Sequence, residues 1–131
     1  MKTKIVIIGL VIGILVMLGM AKAEPQHKGW LDDCYCTATS EIRSDGKKAW
    51  SETTASASGS TWQTSATAYF IDELTDETRH EQGGMTGGGP GGGGAVFNVS
   101  TGSYEVIYRV ESYHKVNYNL GLFAYPITVL R

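Results

Sequence analysis

A period-two alternation of apolar and polar residues recurs along most of the chain beyond residue 33, and no helical stripe of useful length accompanies it. From Cys34 to Ile42 the even positions are small or apolar, whereas the odd positions are mostly polar. A strand with one dry face and one wet face has this pattern. The alternation therefore predicts strands that pack one face against a core.

Similar segments lie at 48–58, 61–71, 104–116 and 120–130, separated by residues typical of turns. Trp62 and Tyr108 fall on the predicted dry faces, and Tyr113 falls on a wet face. Pro126 interrupts the last segment and cannot donate to a strand ladder, which favours an edge position or a bend. Six or seven short strands predict an all-β fold, a small antiparallel β-sandwich that is immunoglobulin-like or jelly-roll-like in architecture.

Glycine occupies nine of the twelve positions at 83–94. Because glycine loses much conformational entropy on ordering, we expect a flexible loop here, either a plain linker or a surface loop that a partner orders. A phosphate-binding loop would need Lys-Ser or Lys-Thr followed by a helix. Ala95, Val96 and Phe97 follow instead and favour a strand.

The first residues have the order of a signal peptide. Lys2 and Lys4 precede an apolar run at 5–21, and an Ala-Lys-Ala triplet follows. We expect cleavage after a signal peptide at 1–23, which leaves one secreted domain at 24–131, either extracellular or periplasmic. A retained membrane anchor is the alternative, because a helix needs roughly 17 to 25 residues to cross a bilayer.

Charge limits the partners of this secreted domain. The predicted signal peptide, or leader, holds three of the 11 basic residues and none of the 13 acidic ones. The secreted domain therefore has 8 basic residues and 13 acidic ones. A nucleic-acid partner would require a basic face, and the remaining cations are scattered. We therefore expect no nucleic-acid binding, and membrane contact only through the leader.

Cys34 and Cys36 are the only cysteines. Two cysteines in an exported protein would ordinarily pair. Residues i and i+2 of a strand point the same way but lie roughly 6 to 7 Å apart, whereas the Cβ atoms of a disulfide are about 3.8 Å apart. Three alternatives follow: a strained local ring, disulfides to other chains in a homo-oligomer, or two free thiols.

Other candidate sites are weaker. The three histidines do not have the spacing of a structural zinc site, and His114 is expected at the surface or the rim of the sheet. Four carboxylates at 72–77 lack the spacing of a calcium loop and are expected in a solvated hairpin connection. Asn98 begins an Asn-Val-Ser glycosylation sequon. We expect no metal and no cofactor.

The clustered carboxylates at 72–77 are neighbours on one predicted loop, whereas a glycosidase needs two carboxyls set across a cleft, and no serine has the sequence context of a nucleophile elbow. It is therefore predicted to be a non-enzymatic extracellular protein that binds or assembles on a surface or partner, either a protein or a cell-surface carbohydrate. Tyr35, Tyr69 and Tyr113 are the candidate anchors, because aromatic side chains dominate many interfaces. A small secreted toxin or antimicrobial protein, of the bacteriocin kind, is the alternative.

Overall fold

The computed structural model describes residues 26–131, which form two antiparallel four-stranded sheets packed face to face. This arrangement confirms the predicted all-β sandwich. The predicted signal peptide at 1–23 lies outside the described residues. Within residues 26–131 no helix is long and apolar enough to cross a membrane.

Eight strands build the two sheets, one or two more than the sequence predicts. They are β1 (Gln26–Leu31), β2 (Cys34–Ile42), β3 (Lys48–Ala55), β4 (Thr61–Asp72), β5 (Thr78–Gly88), β6 (Gly91–Asn98), β7 (Glu105–Tyr118) and β8 (Gly121–Leu130). The first sheet has the order β1-β2-β3-β6, and the second has the order β5-β4-β7-β8. Pro126 lies in β8, an edge strand, as its missing N–H predicts.

The prediction of a flexible loop at 83–94 is wrong. Eight of the nine glycines belong to β5, which pairs with β4 from end to end, or to β6, which pairs with β3, and Gly89 lies in the connection between the two strands. The physical reason is the close approach of both strands to the indole of Trp62. A Cβ atom at Gly87 would lie 2.5 Å from this ring, and one at Gly93 would lie 3.0 Å from it. Glycine is therefore required by packing at these positions.

The placement of Tyr108 in the core is also wrong, because β7 has a β-bulge at this residue. Tyr69 of β4 pairs with Arg109, whereas the next residue, Phe70, pairs with Ile107. Tyr108 is skipped, so the inward position passes to Ile107, which is fully buried. The tyrosine is half-buried, and its ring lies 6.4 Å from that of Tyr69.

The interior consists of two apolar clusters with a polar belt between them. One cluster contains Trp62 and Phe123, and the other contains Phe70 and Phe97. On β2, β3, β4 and β7 the inward residues change from apolar to polar and back to apolar. The buried polar residues of this belt are Ser40, Ser51, Thr53, Thr64, Ser112 and His114.

His114 is fully buried in the belt, so its predicted position at the surface or rim is wrong. Its Nδ1 lies 2.9 Å from the hydroxyl of Thr53, and its Nε2 lies 2.8 Å from the hydroxyl of Ser112. The Thr64 hydroxyl lies 2.7 Å from that of Thr53. Each ring nitrogen thus has a hydrogen-bond partner, which compensates for part of the cost of burying a polar ring.

Candidate binding surface

The outer face of the second sheet presents two of the three predicted anchor tyrosines. Tyr69 of β4 pairs with Arg109 of β7, and Tyr113 of β7 pairs with Ser65 of β4. Paired residues in antiparallel strands point to the same side, so both tyrosines lie on this outer face. Because β4 is hydrogen-bonded to β5 on one side and to β7 on the other, the face has a rigid centre.

A trough runs over β4 on this face. Its wider part has a volume of about 590 Å³ and lies between Gln82 on β5 and Tyr113 on β7, where the small residue Ser65 forms the floor. Its narrower part is a second depression of about 350 Å³ that lies beside the first, over Gln63, the preceding outward residue of β4. We define the trough by its outward-facing lining residues: Thr61, Gln63, Ser65, Thr67, Gln82, Thr86, Glu111, Tyr113, Lys115 and Asn117.

Glu111 is the carboxylate of the trough, and two neighbours on the same face hold it in place. Tyr69 donates its hydroxyl proton to Glu111 Oε1 at 3.0 Å, and Arg109 forms an ion pair with Oε2. The hydrogen bond from Arg109, followed by that from Tyr69, lowers the pKa of Glu111 below its ordinary value. The carboxylate is therefore charged and oriented at neutral pH.

Tyr35 does not belong to this surface. It lies on β2, in the first sheet, and its ring packs 4.9 Å from that of Trp30 on β1. The three predicted anchor tyrosines therefore occupy two opposite outer faces. Trp30 is 66% exposed and was not predicted as a site residue. It lies on β1, a strand that the sequence analysis did not recognise.

Cys34 and Cys36 are free thiols, fully buried in the apolar cluster around Trp62, with their sulfurs 3.9 Å apart. Of the three alternatives, the described structure has the two free thiols and not the strained local ring. Burial, and then the proximity of Cys34, raises the pKa of Cys36 to about 12. Since neither sulfur reaches the surface, a bond to a second chain would require the sandwich to open.

The remaining candidate residues stay at the periphery. Asn98 is exposed at the end of β6, where its side chain is accessible. The carboxylates at 72–77 lie in the connection of the β4–β5 hairpin, as predicted, and Asp72 accepts hydrogen bonds from the backbone N–H groups of Leu74 and Thr75. In residues 26–131 no group of three or more His, Cys, Asp or Glu side chains is arranged to hold a metal ion.

A comparison of the chain with protein-family models, curated proteins and solved structures finds no match. Because a sandwich architecture is compatible with many functions, the side chains of the trough carry the functional argument.

Proposed function

We propose that the protein is exported, has no enzymatic activity, and binds to the surface of the cell that produces it through the trough. The observation that carries this proposal is the position of Tyr113, which lines the trough on the open face that also presents Tyr69. Binding sites typically combine aromatic anchors with a few oriented polar groups. The trough has both.

The exposure of Tyr113 supports this use of the face. Its side chain is 42% exposed although it lies in the middle of a long strand, so burial in the core does not explain its aromatic ring. Glu111, one row away, is held by Arg109 and Tyr69 before any ligand arrives. Such pre-organisation reduces the entropy lost on binding.

The proposal is tested by fractionating cultures of the producing organism. We expect the wild-type protein to start at Glu24 and to be recovered with the cells. Tyr113→Ala should appear mainly in the medium, because it lacks the exposed anchor. Tyr104→Ala is the matched control, since Tyr104 is 62% exposed but lies in the β6–β7 connection away from the trough.

Two results would contradict the proposal. A wild-type protein that retains Met1 in the membrane fraction would show that the leader anchors it. A wild-type protein that is found free in the medium and inhibits the growth of neighbouring cells would favour the toxin or antimicrobial alternative.

A further inference from the structure

We propose that the ligand of the trough is a linear, uncharged polysaccharide that lies along β4. This inference rests on the proposed function and specifies its ligand. The two depressions of the trough together span Thr61 to Thr67 of β4, which is about 20 Å at a rise of about 3.3 Å per residue. This length accommodates several consecutive sugar units, whereas a compact small molecule would fill only a part of it.

The hydrogen-bonding groups of the trough match a ligand that is rich in hydroxyl groups. Hydroxyls and amides are distributed along its whole length, and each of these groups can both donate and accept. The Glu111 carboxylate adds an acceptor for ligand O–H groups. The residues with hydroxyl or amide side chains are Thr61, Gln63, Ser65, Thr67, Gln82, Thr86 and Asn117.

Charge favours an uncharged polymer. The lining contains one cationic side chain, Lys115, and one anionic side chain, Glu111. The charge of Glu111 is already compensated by Arg109 on the same strand. An anionic polymer would require a row of cations along the trough.

A peptide ligand fits this surface less well. Extended peptides commonly bind by adding a strand to a free sheet edge. The floor of the trough is β4, whose backbone is already paired with β5 and β7 on its two sides. Ligand contacts here are made by side chains, and the aromatic ring of Tyr113 offers a flat face for the C–H groups of a sugar ring.

The deciding experiment measures the binding of the labelled secreted protein to cells treated in two ways. Periodate cleaves the vicinal diols of sugars, whereas a protease removes surface proteins. We expect periodate to abolish binding and protease to leave it intact. Binding should change less than twofold between 50 and 500 mM NaCl, because salt weakens contacts between charges and an uncharged ligand makes few of them.

Variants then locate the ligand on the protein. Ser65→Tyr fills the floor of the trough from an exposed position and should abolish binding, while Ser58→Tyr, on an exposed turn, should bind as the wild type does. Tyr113→Ala should weaken binding about tenfold, the loss expected for one stacking contact. Circular dichroism and urea unfolding should show that all three variants fold.

The outcomes separate the two proposals. Binding that depends on Tyr113 but is lost after protease and not after periodate overturns the polysaccharide and leaves the binding surface in place. Binding that falls more than tenfold with salt indicates an anionic polymer and also overturns this inference. Binding that is unaffected by both Ser65→Tyr and Tyr113→Ala overturns the trough as the site, and with it the proposed function.

Discussion

The buried imidazole of His114 should make the stability of the protein depend on pH. Burial in the polar belt, with a smaller effect of the charge of His27, lowers the pKa of His114 from 6.5 to about 4, while backbone hydrogen bonding opposes the shift. In the unfolded chain we expect a value near 6.5. Between these two values the unfolded state binds more protons than the folded state, so the free energy of unfolding falls as the pH falls.

The size of the effect follows from the two pKa values. Each pKa unit corresponds to about 1.4 kcal/mol, so acidification from pH 7.5 to pH 5 should cost about 2 kcal/mol. Glu105 and Glu111 have lowered pKa values, mainly through hydrogen bonds from arginines. The stability that they contribute is present above their ordinary pKa of 4.5 and is lost at lower pH. A measurement at pH 5 therefore reports mainly on the histidine.

The assay is urea unfolding of each protein at pH 7.5 and at pH 5. The wild-type midpoint should move by about 1 to 2 M, given the denaturant dependence of a small domain. In His114→Gln the amide can still bond to Thr53 and Ser112 but does not titrate, so most of the shift should disappear. His80→Gln, on the exposed edge strand β5, should keep the wild-type shift. An equal loss of stability in wild type and His114→Gln would refute the assignment of the titrating group.

Three further predictions concern the packing of the interior. Trp62→Ala should lower the free energy of unfolding by about 3 to 5 kcal/mol, as is typical of a large buried aromatic residue, and near-wild-type thermal and urea unfolding would contradict its core position. Gly87→Ala should be clearly destabilising in the same assays, because the new Cβ would meet this indole at 2.5 Å, whereas Gly88→Ala, with its nearest neighbour at 3.6 Å, is the tolerated control; equal effects would argue against the close approach. Cys34 and Cys36 should react with a thiol reagent at the rate of unfolding, and immediate labelling of the native protein would show that their burial is wrong.

The fold class and several strand boundaries were predictable from the period-two alternation of apolar and polar residues alone. β2 begins and ends where the alternation does, at Cys34 and Ile42, because its inward side chains are small and its outward ones are mostly polar. The edge position of β8 followed from Pro126. These features are local, since each depends on the chemistry of one strand.

The features that were predicted incorrectly depend on contacts between strands. Glycine leaves no alternation to read, so β5 and β6 could not be recognised before the position of Trp62 was known. A one-residue bulge at Tyr108 reversed the inward and outward positions on part of β7. His114 was placed outside because it is polar and lies near the end of the predicted strand, and its partner Thr53 comes from another strand that faces it across the core.

The trough was predictable only in part for the same reason. Tyr69 and Tyr113 could be assigned to wet faces from alternation, but not to the same face. Gln82 and Thr86 complete the lining from β5, a strand whose residues from 83 onward were predicted to form a loop. The candidate site could therefore be defined only once the pairing of β5 with β4 was known.

The Thr-rich and Ser-rich strands explain why one sheet has both a polar interior and a polar binding surface. On β4 the inward hydroxyl of Thr64 bonds within the protein, at 2.7 Å from the carbonyl oxygen of Gly93. The outward residues Ser65 and Thr67 have the same chemistry but line the trough. Since β4 is fixed by strands on both sides and by this inward bond, the backbone from which its outward side chains project is in place before a ligand arrives, as a specific binding site requires.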